Sequence, residues 1–281
     1  MRFSDKLSAP IGRNEVIISS RNYRQYLSGT PGAHGNKTGL LQITPRKKVM
    51  QSALVTDGYA GAFDIPVIPE SEWEDRLRQQ IKDKAQLSDI RNAGMFGKQI
   101  PSRDQDARGY CWAHSSTSAA LICRAVANQP YADLSAFAVA CIIKNYRDQG
   151  GWSEESMRFI ADRGIPTSEF WPQQSTSRSN DNPDTWSNAA KHRFTPEWML
   201  LDNGQIKKQL VTCLLLGIPC TTDYNWWRHA IIALDVVSFS PFRIRIWNSW
   251  GDGWSENGTG ILEGSKAIPD DSQAPRVVTP S

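Results

Sequence analysis

The chain has 281 residues, 40% of them hydrophobic and 22% charged, with 32 Lys+Arg against 29 Asp+Glu for a formal charge of +3. That length buries one large core or two modest ones, and the composition is that of a folded globular protein rather than a disordered one. So slight a positive excess argues for neither nucleic acid nor a membrane surface as partner, and no apolar run approaches the about 18 residues of a bilayer span.

The opening Met1-Arg-Phe-Ser-Asp-Lys-Leu7 has no hydrophobic block followed by small residues, so no secretory signal is expected. Residues 1 to about 68 are rich in Gly, Pro, Ser, Thr and Asn, with short apolar pieces such as Val16-Ile-Ile18. They read as an extended arm. A helix near 71–88 then starts at Ser71, with Glu74 three residues on completing a capping box. Trp73, Leu77 and Ile81 give it one apolar stripe, which packs on the main domain or covers a cleft.

From Cys111 to about Ala127 the pattern is helical and stops before Pro130. Leu134 to Tyr146 reads as a second helix, and Ser153 caps a third that ends at Gly164. Gln205 to Leu216 makes a fourth, followed by a strand at Ile218–Thr222. His229 to Val237 and Phe242 to Trp247 read as an antiparallel pair. Helices followed by sheet mark an α+β chain. The expected organisation is an N-terminal arm over 1–100, a main domain over 101–266, and an unstructured polar tail over 267–281.

Cys111 opens its predicted helix, where unpaired backbone N–H groups and the macrodipole favour thiolate. His229 is the candidate base, and Asn248, after the next strand, can accept from its other ring nitrogen and fix the tautomer. Gln105, six residues before the cysteine, can direct a side-chain N–H into the space where the backbone N–H of Cys111 points, making an oxyanion hole. Together these are the parts of a thiol hydrolase. Cys123, Cys141, Cys213 and Cys220 read as packing cysteines, and His34, His114 and His192 as satisfied core or surface groups. With five cysteines, no Cys-x-x-Cys and no His-Glu-x-x-His, no metal and no cofactor is expected.

The strings Asp104-Gln-Asp-Ala-Arg-Gly-Tyr-Cys-Trp-Ala113, Trp227-Arg-His-Ala230 and Trp247-Asn-Ser-Trp-Gly-Asp-Gly-Trp254 resemble the papain family of cysteine proteases. Leu134-Ser135, Gly150-Gly151, Gly164-Ile-Pro166 with Trp171-Pro172, and Glu256-Asn-Gly258 follow in the family's order. The resemblance covers roughly residues 100 to 265. It implies a papain-like two-lobed α+β fold, a helical lobe followed by an antiparallel sheet-rich lobe, carrying an N-terminal extension. It implies too that Gly150 and Gly151 hydrogen-bond an extended substrate, and that Trp250 shields the contact between His229 and Asn248.

The chain departs from the family where Arg108 stands in place of a cysteine three residues before Cys111 and Asp148-Gln149 precede the paired glycines. The family's secreted disulfide frame is therefore missing, which argues for a reducing intracellular compartment or for a fold stabilised by other contacts. Arg228, before the histidine, is expected to lower the imidazole pKa or to bind acidic substrate groups. The arm lacks the long helical pattern of the family's inhibitory prosegments.

The function read from the sequence is thiol-dependent hydrolysis of peptide or isopeptide bonds in a peptide or protein substrate. The alternative is a structural or assembly component, such as part of a viral particle, that keeps the scaffold with an idle or arm-blocked cleft and assembles through residues 1–100.

Overall fold

The computed structural model describes residues 7–27, 37–43, 67–93, 98–193, 198–200 and 204–275. The arm is no detached appendage. Its strand β1 (Val16–Ile18) joins the main sheet in parallel to β6 (Thr259–Glu263), with Val16 opposite Gly260. Just before it, Glu15 enters a buried ion triad, its Oε1 2.7 Å from Arg245 Nε, while Arg245 Nη1 lies 3.0 Å from Asp235 Oδ2. A guanidinium shared by two buried carboxylates is stable only while all three are present. The boundary expected at residue 100 therefore does not separate a structural unit.

The predicted helix near 71–88 is two helices, α1 (Trp73–Asp83) and α2 (Leu87–Ala93). Lys84 ends the first in the left-handed conformation at φ 52°, its N–H and that of Ala85 closing back on Ile81 and Gln80. The Ser71 capping box does not form. Ser71 lies inside a 3₁₀ turn, Glu70–Glu72, whose backbone bond from Glu72 N–H to Pro69 O takes up the first turn. Trp73 stacks on Phe239 at 5.2 Å and Leu77 is buried, so α1 lies on the sheet lobe and does not cover the cleft.

Helix α3 (Cys111–Val126) is buried nearly all round, as befits a helix at the centre of a lobe. Packed on it are α4 (Ala136–Ile143) and α5 (Ser153–Arg163). Ser153 does not cap α5; it is the first helical residue, and its hydroxyl donates to Asp223 at 2.5 Å. A short α6 (Pro183–Ala189), capped by Asn182, and strand β2 (Trp198–Leu200) precede α7 (Ile206–Leu215).

Strands β3 (Cys220–Tyr224), β4 (His229–Phe239) and β5 (Phe242–Trp247) form an antiparallel meander. The described sheet has the order β1-β6-β5-β4-β3-β7-β2, where β7 is Asp271–Pro275. The expected unstructured tail is thus corrected for 271–275; residues 276–281 lie outside the described ones. Asp271, Ser272 and Gln273 are polar yet buried because they satisfy one another and β3. Thr221 Oγ1 donates to Gln273 Oε1 at 2.7 Å, and Ser272 Oγ to Thr221 O at 2.7 Å.

Two cores result. One surrounds α3 and includes Trp112, Phe137 and Trp171; the other fills the far side of the sheet under α1 and α7. The N-terminal end of α3 meets the start of β4 between the two.

Candidate active site

Cys111 is the first residue of α3, and its sulfur is wholly buried. Burial pushes its thiol up to about 11, against the pull of the backbone N–H groups of Ala230, Gly39 and Trp112. The helix tip therefore does not hold a thiolate in this state, contrary to the sequence expectation. Desolvation by burial, to which a segment lying over the sulfur contributes, outweighs the helix end.

That segment is residues 37–43 of the arm. Gly39 N–H points at Cys111 Sγ at 3.4 Å, and Gly39 O accepts from Gly151 N–H at 2.9 Å. Leu41 N–H donates to Gly151 O at 3.1 Å, and Leu40 N–H to Arg228 O at 3.0 Å. Leu40 is 1% exposed. At one end the Lys37 ammonium meets Asp148 at 2.7 Å. Asp148 also accepts the N–H of Gly109, so the residue standing near the paired glycines, in place of the cysteine that the resembled family carries there, anchors the arm.

His229 opens β4 and Asn248 directly follows β5, so the antiparallel pairing of these strands brings them together. His229 Nε2 and Asn248 Oδ1 are 2.8 Å apart. The same Oδ1 accepts from Ser249 N–H at 2.8 Å, which fixes the carboxamide; an amide oxygen only accepts, so Nε2 carries the ring proton. Nδ1 then bears the lone pair, and it is buried with no hydrogen-bond partner among the described residues. The ring stacks on Trp250 at 4.8 Å and meets Trp227 edge-on at 4.9 Å. Burial lowers its pKa to about 4, the bond to Asn248 opposing. Arg228 is exposed and is not the cause of that shift, so the expected effect of its charge on the imidazole is not seen.

Gln105 is held from both sides by Ser249, whose hydroxyl donates to Gln105 Oε1 at 2.6 Å and whose carbonyl accepts from Gln105 N–H at 2.9 Å. This leaves Nε2 facing the cleft, where it donates to Arg108 O at 2.7 Å and to Lys37 O at 2.5 Å. An arm carbonyl thus occupies the donor that the sequence assigns to an oxyanion.

Gly151 crosses the face of Trp112 so closely that a Cβ there would lie 2.5 Å from the indole. Gly150, beside it, leaves room for Gly39 O. Ser249 and Trp227 were not singled out by sequence reasoning, although both sit inside strings quoted above. Residues 37–43 carried no signal. His114, read as a satisfied group, is fully buried with neither ring nitrogen bonded among the described residues, and burial lowers its pKa to about 3.

A family model described as papain family cysteine protease matches residues 85–224, ending short of His229. Chymopapain of Carica papaya is 26% identical over 217 residues, covering 70% of this chain and 60% of its own length. Papain of the same plant is 24% identical over 180 residues, 58% of this chain and 51% of its own. The chain therefore spans 60% or less of these relatives' length. Among solved structures, xylellain, a cysteine protease from Xylella fastidiosa, superposes with a TM-score of 0.61 at 15% identity, covering 86% of this chain and 97% of that one. Digestive procathepsin L2 proteinase from the Tenebrio molitor larval midgut gives 0.57 at 17% identity, with 96% and 85% covered. At such identities these structures speak for the fold alone, and fold, motifs and family model agree: the chain belongs to the papain family of cysteine proteases.

Proposed function

We propose that the chain is a peptidase, hydrolysing peptide or isopeptide bonds through Cys111, and that residues 37–43 hold it latent. The observation that carries this reading is an extended peptide already lying across the sulfur, with its carbonyl on Gln105 Nε2 and its backbone paired to Gly151. A cleft that binds backbone in this way is shaped for a polypeptide.

In the open state the thiol proton passes to His229 Nδ1, the nitrogen with the lone pair, giving a thiolate beside an imidazolium. Solvent entering with the arm's departure reduces the desolvation that now keeps both groups neutral. The sulfur attacks the substrate carbonyl carbon, and Gln105 Nε2 with the Cys111 backbone N–H stabilises the oxyanion, each donor being worth about 2.7 to 4 kcal/mol. His229 returns its proton to the leaving amine as the carbon–nitrogen bond breaks, leaving a thioester. Water, giving a proton to His229, then attacks the thioester; the acid leaves and the thiol is restored. Asn248 keeps the ring in the required tautomer, Trp250 covers it, and Gly150 and Gly151 hold the substrate backbone.

An epoxide directed at thiols tests the reading. Labelling of Cys111 that accelerates when the arm is unseated, and is lost in His229→Ala, supports it. A Cys111 that stays unlabelled in an arm-released chain refutes it. The assembly and virion alternative gains no support from the fold or the relatives.

A further inference from the structure

The turn between β3 and β4 is short, and it carries a side chain that neither the sequence nor the mechanism used. Asn225 Oδ1 accepts from Ile43 N–H at 2.7 Å, and Asn225 Nδ2 donates to Ile43 O at 3.0 Å. The carboxamide thus takes both backbone groups of one residue, as a neighbouring strand would. Its backbone is held by groups outside the arm: Asn225 N–H donates to Asp270 Oδ2 at 2.7 Å, and Arg228 N–H closes the turn on Asn225 O at 3.2 Å. Three residues of arm, Leu40, Leu41 and Gln42, separate this contact from the glycine on the sulfur.

We propose that Asn225 is a peptide-binding residue of the cleft, a sequence-independent docking point for the backbone of any extended chain lying there. In the latent state its occupant is Ile43, and after release it is the substrate residue at the same distance from Cys111. The inference rests on the peptidase reading for its substrate, while the docking itself does not. Because the carboxamide contacts main chain only, it adds affinity and register without selecting a side chain. It also extends the recognised peptide well past Gly151.

The test uses two readouts that need no hydrolysis. The first is the anisotropy of a fluorescein-labelled, amidated peptide with the sequence of residues 37–43, bound to the full chain carrying Gly39→Ala. Adding Asn225→Ala is expected to weaken binding about tenfold, the effect of one to two ordinary hydrogen bonds. A peptide N-methylated at the Ile43 nitrogen is expected to lose affinity on the Asn225 chain and to lose nothing more on Asn225→Ala. The second readout is the alkylation rate of Cys111 by iodoacetamide in the otherwise unaltered chain, expected to rise several-fold in Asn225→Ala; it decides if the peptide does not bind. Equal alkylation, or equal loss from N-methylation with and without the carboxamide, overturns the proposal. Failure to cleave any peptide while these effects are seen counts against the peptidase reading and leaves the docking residue standing.

Discussion

Gly39 is where the proposed latent state is most exposed to a single change. A Cβ built on it would lie 2.0 Å from Gly109 O, 2.3 Å from Gly109 C and 2.4 Å from Gly109 Cα. None of these atoms is free to retreat: Gly109 N–H is tied to Asp148 at 2.8 Å, and Gly109 O accepts from the Trp112 indole at 3.0 Å. The arm must move instead. It is held by the five hydrogen bonds around Gly39 and the two to Asn225, on the order of 7 kcal/mol together at about 1 each. Burial of Leu40 and Ile43 adds roughly 4 kcal/mol. Ordering residues 37–43 costs on the order of 10 kcal/mol at about 1.5 per residue. The seat is therefore a near balance, and a clash at the upper end of overpacking costs, about 3 kcal/mol, shifts it roughly 100-fold toward the open state.

The assay is the rate of Cys111 alkylation, followed by mass spectrometry of the peptide bearing it, at neutral pH and with the melting temperature recorded alongside. With the open state already populated at roughly one part in six in so near a balance, Gly39→Ala should open the cleft almost fully and react about sixfold faster, with a cooperative unfolding transition preserved because the clash is confined to the cleft. A rate unchanged from the unaltered chain, in a protein that melts normally, would refute the idea that the arm's close approach is what shields the sulfur.

Other expectations follow from the same geometry. Removing the carboxamide of Asn248 in an arm-released chain frees His229 Nε2, and kcat should fall about 10- to 100-fold, by analogy with loss of a ring-orienting partner, while KM for a peptide changes little. Arg245→Met strands two buried carboxylates, and urea unfolding should show a loss of about 3–5 kcal/mol. His229 and His114 have folded pKa values near 4 and 3, below the ordinary 6.5. A depressed histidine binds fewer protons folded than unfolded, so its contribution is intact above pH 6.5 and is lost as pH falls toward those values. The melting temperature should therefore drop between pH 6.5 and 4, and His114→Phe, which meets Phe137 with an apolar ring, should flatten part of that slope.

What the sequence disclosed and what it hid divide along a physical line. The proposed catalytic residues Cys111, His229 and Asn248 were legible because thiol chemistry demands particular side chains, and their flanking Trp and Gly residues are constrained by packing on the ring and the strand. Helices α3 and α7 and the β4–β5 pair were legible because each buries a large apolar face, which writes a period into the sequence. The arm in the cleft had neither kind of signature. Lys37 to Ile43 is held chiefly by its own main chain, to Gly151, Arg228, Gln105 and Asn225, and main-chain contacts leave little trace in residue type. The one residue whose identity they do constrain is Gly39, and among 20 glycines nothing distinguishes it until Gly109 is placed beside it. Strand β7 was missed for the complementary reason. Its buried polar side chains pair with β3 across the sheet, so a segment that reads as solvent-loving is satisfied inside by partners about fifty residues away. The charge state of the sulfur was misjudged for a third reason, since helix position acts locally while desolvation depends on what covers the site. Part of that cover is a stretch 72 residues upstream, whose contact with the sulfur no local reading around Cys111 discloses.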